Sequence, residues 1–247
     1  MKREAFTRIE LLATLAAFGL LAALGMSLSA DTRERSERLV CMNNLRQIGR
    51  GFDAWTAEHG SAYPWRVPAS EGGTQPLPVA PTTFQVSGIG TFPGAITHNA
   101  WFQFLWVREE LPSPAVLVCP SDVAKRRATN FSTAPGGVAH LSMQNNAVSY
   151  VEGLDVFRER PFNVISGDRN MITTDRGGTA CSSGIVGFRS IGAPLAGPPT
   201  GWASGIHGSS GNLLIGDGRV EQTTTRDFND YQDSITDDGG IWHILFP

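Results

Sequence analysis

His207 and Asp217 stand ten positions apart in "HGSSGNLLIGDG", with Ser204, Ser209 and Ser210 near the histidine. Serine, histidine and aspartate are the residue types of a hydrolytic relay, in which the imidazole takes the hydroxyl proton and the carboxylate orients the ring. The chain carries no Gly-x-Ser-x-Gly elbow, no His-Glu-x-x-His and no phosphate-binding loop. Asp217-Gly218 also sits between two β-prone arms, "NLLI" and "RVEQTT", where Asp-Gly suits a type I′ hairpin turn. His207, Asp217 and Gly218 are therefore read as structural, with His207 pinning the loop before the hairpin, and the chain is not read as an enzyme.

Other groups raise other chemistry. Asp227, Asp230, Asp233, Asp237 and Asp238 crowd near the C-terminus, and carboxylates at such spacings can supply oxygen ligands to calcium. The spacing is not that of an EF-hand, and a solvated acidic surface is the competing reading. No other cofactor is expected. Cys41, Cys119 and Cys181 form no CxxC pair, so spacing gives no zinc site. One disulfide with a thiol left over, or three reduced buried cysteines, both fit. Cys41–Cys119 is the preferred pair, because one lies on an apolar helix face and the other ends a β-prone run. Glu10 is the last group, an acid at the head of an apolar run, where an ionisable side chain is costly enough to suggest a function.

The elements that must position these groups follow from the patterning. Residues 11–30 carry no formal charge, about the length of a bilayer-crossing helix. A secretory signal peptide ending near "SLSA" and a buried core helix are its competitors. Charges of both signs from Asp31 to Arg38 follow. Cys41, Leu45, Ile48, Phe52 and Trp55 then recur at helical spacing, and Gly60 with Pro64 marks the stop. "THNAWFQFLWVREEL" reads as a second, shorter helix and residues 61–96 as a long loop. "AVLVC", "AVSYV", "FNVIS" and "MITT" read as short strands, and "TRDFNDYQDSI" as a short helix. The expected fold class is α+β: a long N-terminal helix, transmembrane in its first half and amphipathic in its second, packed on an antiparallel β-sheet head.

The stretch "AFTRIELL" behind a basic leader resembles the prepilin motif of type IV pilins and type II secretion pseudopilins. The resemblance implies cleavage between Ala5 and Phe6 by a prepilin peptidase, N-methylation of Phe6, and a role for Glu10 in assembly. Ala5 stands where the family carries Gly, and Arg8 where an apolar residue is usual. Farther on, "CMNNLRQIGRGFDAW", "LVCPSD", "SYVEG", "SGDRN" and "HGSSGNLLIGDGRV" are similar to large pseudopilin-like proteins of planctomycete and verrucomicrobial bacteria, with His207 and Asp217-Gly218 as their shared signature. Calcium near the C-terminus of major pseudopilins adds weight to the acidic tail as ligands.

The implied organisation is a leader at 1–5, a transmembrane helix at 6–30, its amphipathic continuation at 31–60 and a β-rich head at 61–247. The implied place is the inner membrane, single-pass, with the N-terminus cytoplasmic, the head periplasmic, and a filament after assembly. The implied partners are prepilin peptidase, other pilin or pseudopilin subunits and the inner membrane. A net charge of −3 gives no reason to expect nucleic acid. The competing function is a single-pass anchored, exported enzyme or binding protein.

Overall fold

The computed structural model describes residues 7–75, 83–94, 99–156, 163–172, 189–192, 201–232 and 241–247, with side chains in 22–31, 189–192, 229–232 and 241–243 left aside. The first helix, α1, spans Arg8–Glu58. Its buried face is the stripe Cys41, Leu45, Ile48, Phe52 and Trp55, none more than 3% exposed. A 3.6-residue period puts these positions on one side, and that side lies against the head.

The head is built on a six-stranded sheet in the order β6-β10-β3-β4-β8-β9. Its strands are β3 (Tyr150–Gly153), β4 (Val164–Asp168), β6 (Arg189–Gly192), β8 (Ser210–Ile215), β9 (Val220–Thr224) and β10 (Ile241–Leu245). Every described pairing in it is antiparallel. α1 crosses the sheet over β4, β8 and β9. Gly49 permits the close approach, since a Cβ there would stand 3.0 Å from Leu214 Cδ1. The opposite face carries a smaller core of Val151, Val164, Leu213, Ile215 and Ile244. There Trp202 of β7 (Gly201–Trp202) meets Phe228 of α3 (Thr225–Gln232) edge-on at 5.2 Å.

Several expectations need correction. Among the described residues no helix is long and apolar enough to cross a membrane. Arg8 and Glu10 stand in the first turn of α1. The transmembrane first half of the expected fold class and the single-pass inner-membrane placement with a periplasmic head are overturned, while the second half of α1 packs on an antiparallel sheet.

Smaller differences concern local geometry. The second helix, α2, is only Ala100–Phe104, and turns follow it up to Leu111. The "AVLVC" run is not a strand, because Pro114 at the start of a 3-10 turn over Pro114–Leu117 sets a helical φ. The expected long loop holds a hairpin of β1 (Thr83–Val86) and β2 (Gly90–Pro93). The "MITT" run gives β5 (Met171–Ile172), paired with β7. The β8–β9 turn is not type I′, which needs positive φ at both central residues. Only Gly218 is left-handed, at φ +85°. Its N–H donates to Ile215 O at 2.8 Å, and Ile215 N–H donates to Arg219 O at 2.9 Å.

Glu152 on β3 is fully buried, and among the described residues neither carboxyl oxygen has a hydrogen-bond partner. Burial pushes its pKa well above the ordinary carboxylate value. A group whose folded pKa is raised stabilises fully below its unfolded pKa, near 4.5, and loses that contribution as pH rises toward the folded value. Glu152→Gln keeps the shape and removes the charge. The variant is expected to match the parent near pH 4 and to exceed it by about 1–3 kcal/mol at pH 8. Urea unfolding of both proteins at the two pH values checks this, and a difference independent of pH would refute it.

Candidate functional site

The two halves of the His–Asp-Gly signature do not meet. β8, from Ser210 to Ile215, runs between them, about 20 Å at the usual rise per residue. Asp217 lies at the far end in the hairpin turn, partly exposed, with its carboxylate 3.4 Å from Arg219. His207, at the near end, points inward, and its side chain is inaccessible to solvent.

A left-handed turn aims it. His207, Gly208 and Ser209 have φ of 53°, 50° and 48°, a conformation that costs non-glycine residues energy and recurs at functional sites. Four hydrogen bonds hold it: Ser210 Oγ and Arg38 Nη2 donate to His207 O at 2.6 and 2.7 Å, and Asn170 Nδ2 donates to Ile206 O and Ser210 O at 2.8 and 3.0 Å. Arg38 belongs to α1, so the turn is fastened to the helix as well as to the sheet.

Inside, His207 Nε2 lies 3.3 Å from Cys119 Sγ and 3.6 Å from Asp168 Oδ2. Cys119 is joined to Cys41 of α1 by a disulfide, with the two Cα atoms 5.0 Å apart. The remaining cysteine, Cys181, lies outside the described residues. Asp168 ends β4 and reaches across to β8, where its Oδ2 accepts from the backbone and side-chain nitrogens of Asn212, each at 2.8 Å. Next to it, Arg169 forks onto Asp122 at 2.6 and 2.7 Å, tying the segment after Cys119 to the end of β4. From α1, Asn44 Nδ2 donates to Val118 O, and Ser121 Oγ donates to Glu37. Helix, sheet and two loops thus converge on one buried knot of sulfur, imidazole and carboxylate.

Electrostatics keep the knot close to neutral. Burial, and secondarily the Arg38 charge, pull His207 down to about 4, so the ring is uncharged at neutral pH. Burial raises Asp168 to about 7 against the opposing Asn212 hydrogen bonds.

This is not the geometry of a hydrolytic relay. A relay places the carboxylate on Nδ1 and the nucleophile on Nε2. Here Cys119 and Asp168 both face Nε2, while Nδ1 is buried without a hydrogen-bond partner among the described residues. Ser204 and Ser209 are exposed, and the Ser210 hydroxyl is engaged with a backbone carbonyl. No family model, curated protein or solved structure matches the chain.

The other sequence-derived positions scatter. Ala5 and Phe6 lie outside the described residues, as do Asp233, Asp237 and Asp238. Asp230 falls in α3, its side chain not described, and Asp227 caps that helix, accepting from Thr224 N and Oγ1 at 2.8 Å each. That carboxylate is already committed to two donors, which lowers its pKa. Glu10 is exposed and closes a capping box: its Oε2 accepts from Thr7 N and Oγ1 at 2.8 and 2.9 Å, while Thr7 Oγ1 accepts from Glu10 N. The Thr-x-x-Glu spacing that announces such a box was legible beside the prepilin resemblance. Asp168 and Asn170 had no comparable signal beyond the "SGDRN" patch, and Asn212 none beyond "HGSSGNLLIGDGRV".

Proposed function

We propose that the chain is a pilin-like filament subunit. A prepilin peptidase cuts it between Ala5 and Phe6, Phe6 is N-methylated, and α1 then packs against other pilin or pseudopilin subunits of a type II secretion or type IV pilus-like machine. Its work in this reading is assembly, with no reaction of its own.

The observation that carries the reading is the bare start of α1. Ile9, Leu11, Leu12, Leu15, Phe18, Leu20 and Leu21 are 55–79% exposed. These positions fall on all sides of the helix, and every residue from Arg8 to Leu21 is exposed. Isolated exposed apolar residues are ordinary, whereas a contiguous surface of this kind marks an interaction site. Helices of neighbouring copies, laid side by side, would cover it from every direction. The head needs no help from this segment, since its stripe begins at Cys41.

Intact-mass measurement on protein co-produced with a prepilin peptidase tests the reading. The expected mass lacks residues 1–5 and carries one added methyl group. A full-length mass, or loss of about thirty residues as from a secretory signal, would overturn it.

A further inference from the structure

Cys41, Cys119 and His207 are all buried, and one ligand atom from each lies within 4.8 Å of the others. Adjacent ligands of a tetrahedral zinc ion with bonds of 2.0–2.3 Å stand about 3.3–3.8 Å apart. The Cys119 Sγ to His207 Nε2 distance is 3.3 Å, and Asp168 Oδ2 lies 3.6 Å from the same nitrogen. Both fall in that range. The compact donor set is two sulfurs and an imidazole, which suits a thiophilic divalent cation, and Asp168 stands just outside it as the carboxylate beside the imidazole. Two features point to a ligand beyond the protein. Among the described residues, Asp168 Oδ1 is buried with no hydrogen-bond partner, so the carboxylate keeps one uncommitted oxygen besides the Oδ2 that faces His207. The left-handed turn at 207–209 spends conformational energy to drive an imidazole into this place.

We propose that, when the Cys41–Cys119 disulfide is reduced, these two cysteines with His207 and Asp168 form a closed, four-coordinate zinc site. A dithiol supplies the electrons. Its two sulfur–hydrogen bonds give way to a cyclic disulfide, the Cys41–Cys119 bond breaks, and each protein sulfur receives one proton. Zn²⁺ then displaces both thiol protons to solvent, taking two thiolates, the His207 Nε2 lone pair and one Asp168 oxygen. Asn212 orients the carboxylate as a hydrogen-bond donor behind the ligand, a common arrangement around metal sites. With all four positions filled by protein and no solvent access, the ion is structural. It fastens α1 to the head in a reducing environment, as the disulfide does in an oxidising one. The inference is independent of the filament reading.

The probe is Co²⁺, added under argon to full-length protein reduced with dithiothreitol and then desalted, followed by competition with Zn²⁺. The expected result is one Co²⁺ per chain, with the visible bands of four-coordinate cobalt and an ultraviolet thiolate charge-transfer band, all bleached by one equivalent of zinc. The oxidised chain should show none of these. Cys181→Ser should leave the spectrum unchanged, and Cys119→Ser should abolish it. His207→Ala and Asp168→Asn should each weaken binding about tenfold or more, with tryptophan fluorescence reporting whether each variant is folded. A disulfide that resists reduction in the folded chain would overturn the proposal. So would a reduced chain that takes up no cobalt, six-coordinate cobalt without thiolate charge transfer, or a spectrum that depends on Cys181 instead.

Discussion

Phe52→Ala will destabilise the protein by about 3–5 kcal/mol, the range for removing a fully buried aromatic ring. Phe52 is inaccessible to solvent and stands at the centre of an aromatic cluster. Its ring meets Tyr63 edge-on at 5.9 Å and Trp65 at 5.4 Å, and lies 6.1 Å from Phe104. Tyr63 and Trp65 lie just past the end of α1, and Phe104 ends α2, so one ring joins the helix to two other parts of the head. Deleting it leaves a cavity beside the rings of Tyr63, Trp65 and Phe104. Against a typical total of about 5–15 kcal/mol, the loss is a large fraction of what holds the head together. Leu39→Ala serves as the control on the same helix, because Leu39 is 63% exposed and should shift stability by no more than about 0.5 kcal/mol. Urea unfolding of the three full-length proteins, followed by tryptophan fluorescence, decides it. A loss below 1 kcal/mol at Phe52, or equal losses at Phe52 and Leu39, would mean that α1 does not pack on the head through this stripe.

The stripe was readable because it is local and periodic: five residues on one helix, three and four apart, need no knowledge of their partner. The β8–β9 hairpin was readable for a similar reason, since its arms and its glycine are contiguous, although the turn adopts a different geometry from the one Asp-Gly most often signals. "AVLVC" misled because β-branched residues were weighed without the proline ahead of them. The apolar N-terminal run misled because absence of formal charge was counted in place of hydropathy, and among the described residues no helix is long and apolar enough to cross a membrane. The buried knot was the least legible part. His207 meets Asp168 and Cys119 only because β4 and β8 are sheet neighbours, with Gly167 opposite Leu213, and because α1 returns Cys41 to Cys119 across 78 positions. Nothing in the spacing of His207 and Asp217 reveals that a whole strand separates them.

Glu10 provides the second large effect, and the capping box changes how it must be tested. Under the filament reading, cleavage turns the Phe6 nitrogen from an amide into an ammonium, and methylation leaves it charged. Among packed apolar helices of neighbouring subunits, that cation needs a carboxylate, and Glu10 of an adjacent copy is the proposed partner. Its hydrogen bonds to Thr7 lower its pKa, so the acid stays ionised at neutral pH. Those same bonds offer a rival account, in which Glu10 only closes the start of α1. Glu10→Leu removes both roles and cannot separate them. Glu10→Gln separates them, because glutamine also serves at this position of a capping box but carries no charge. Both variants should be cut after Ala5, since the leader and Phe6 are intact. If the charge sets the register between subunits, both should lose filament yield by about 30-fold or more, the consequence of leaving a buried ammonium unpaired. Arg8→Leu, run beside them, asks whether a cation on the same helix competes for the acid, and it should assemble at least as well as the parent. Normal filaments from Glu10→Gln with none from Glu10→Leu would assign Glu10 to the helix cap and end its role in register.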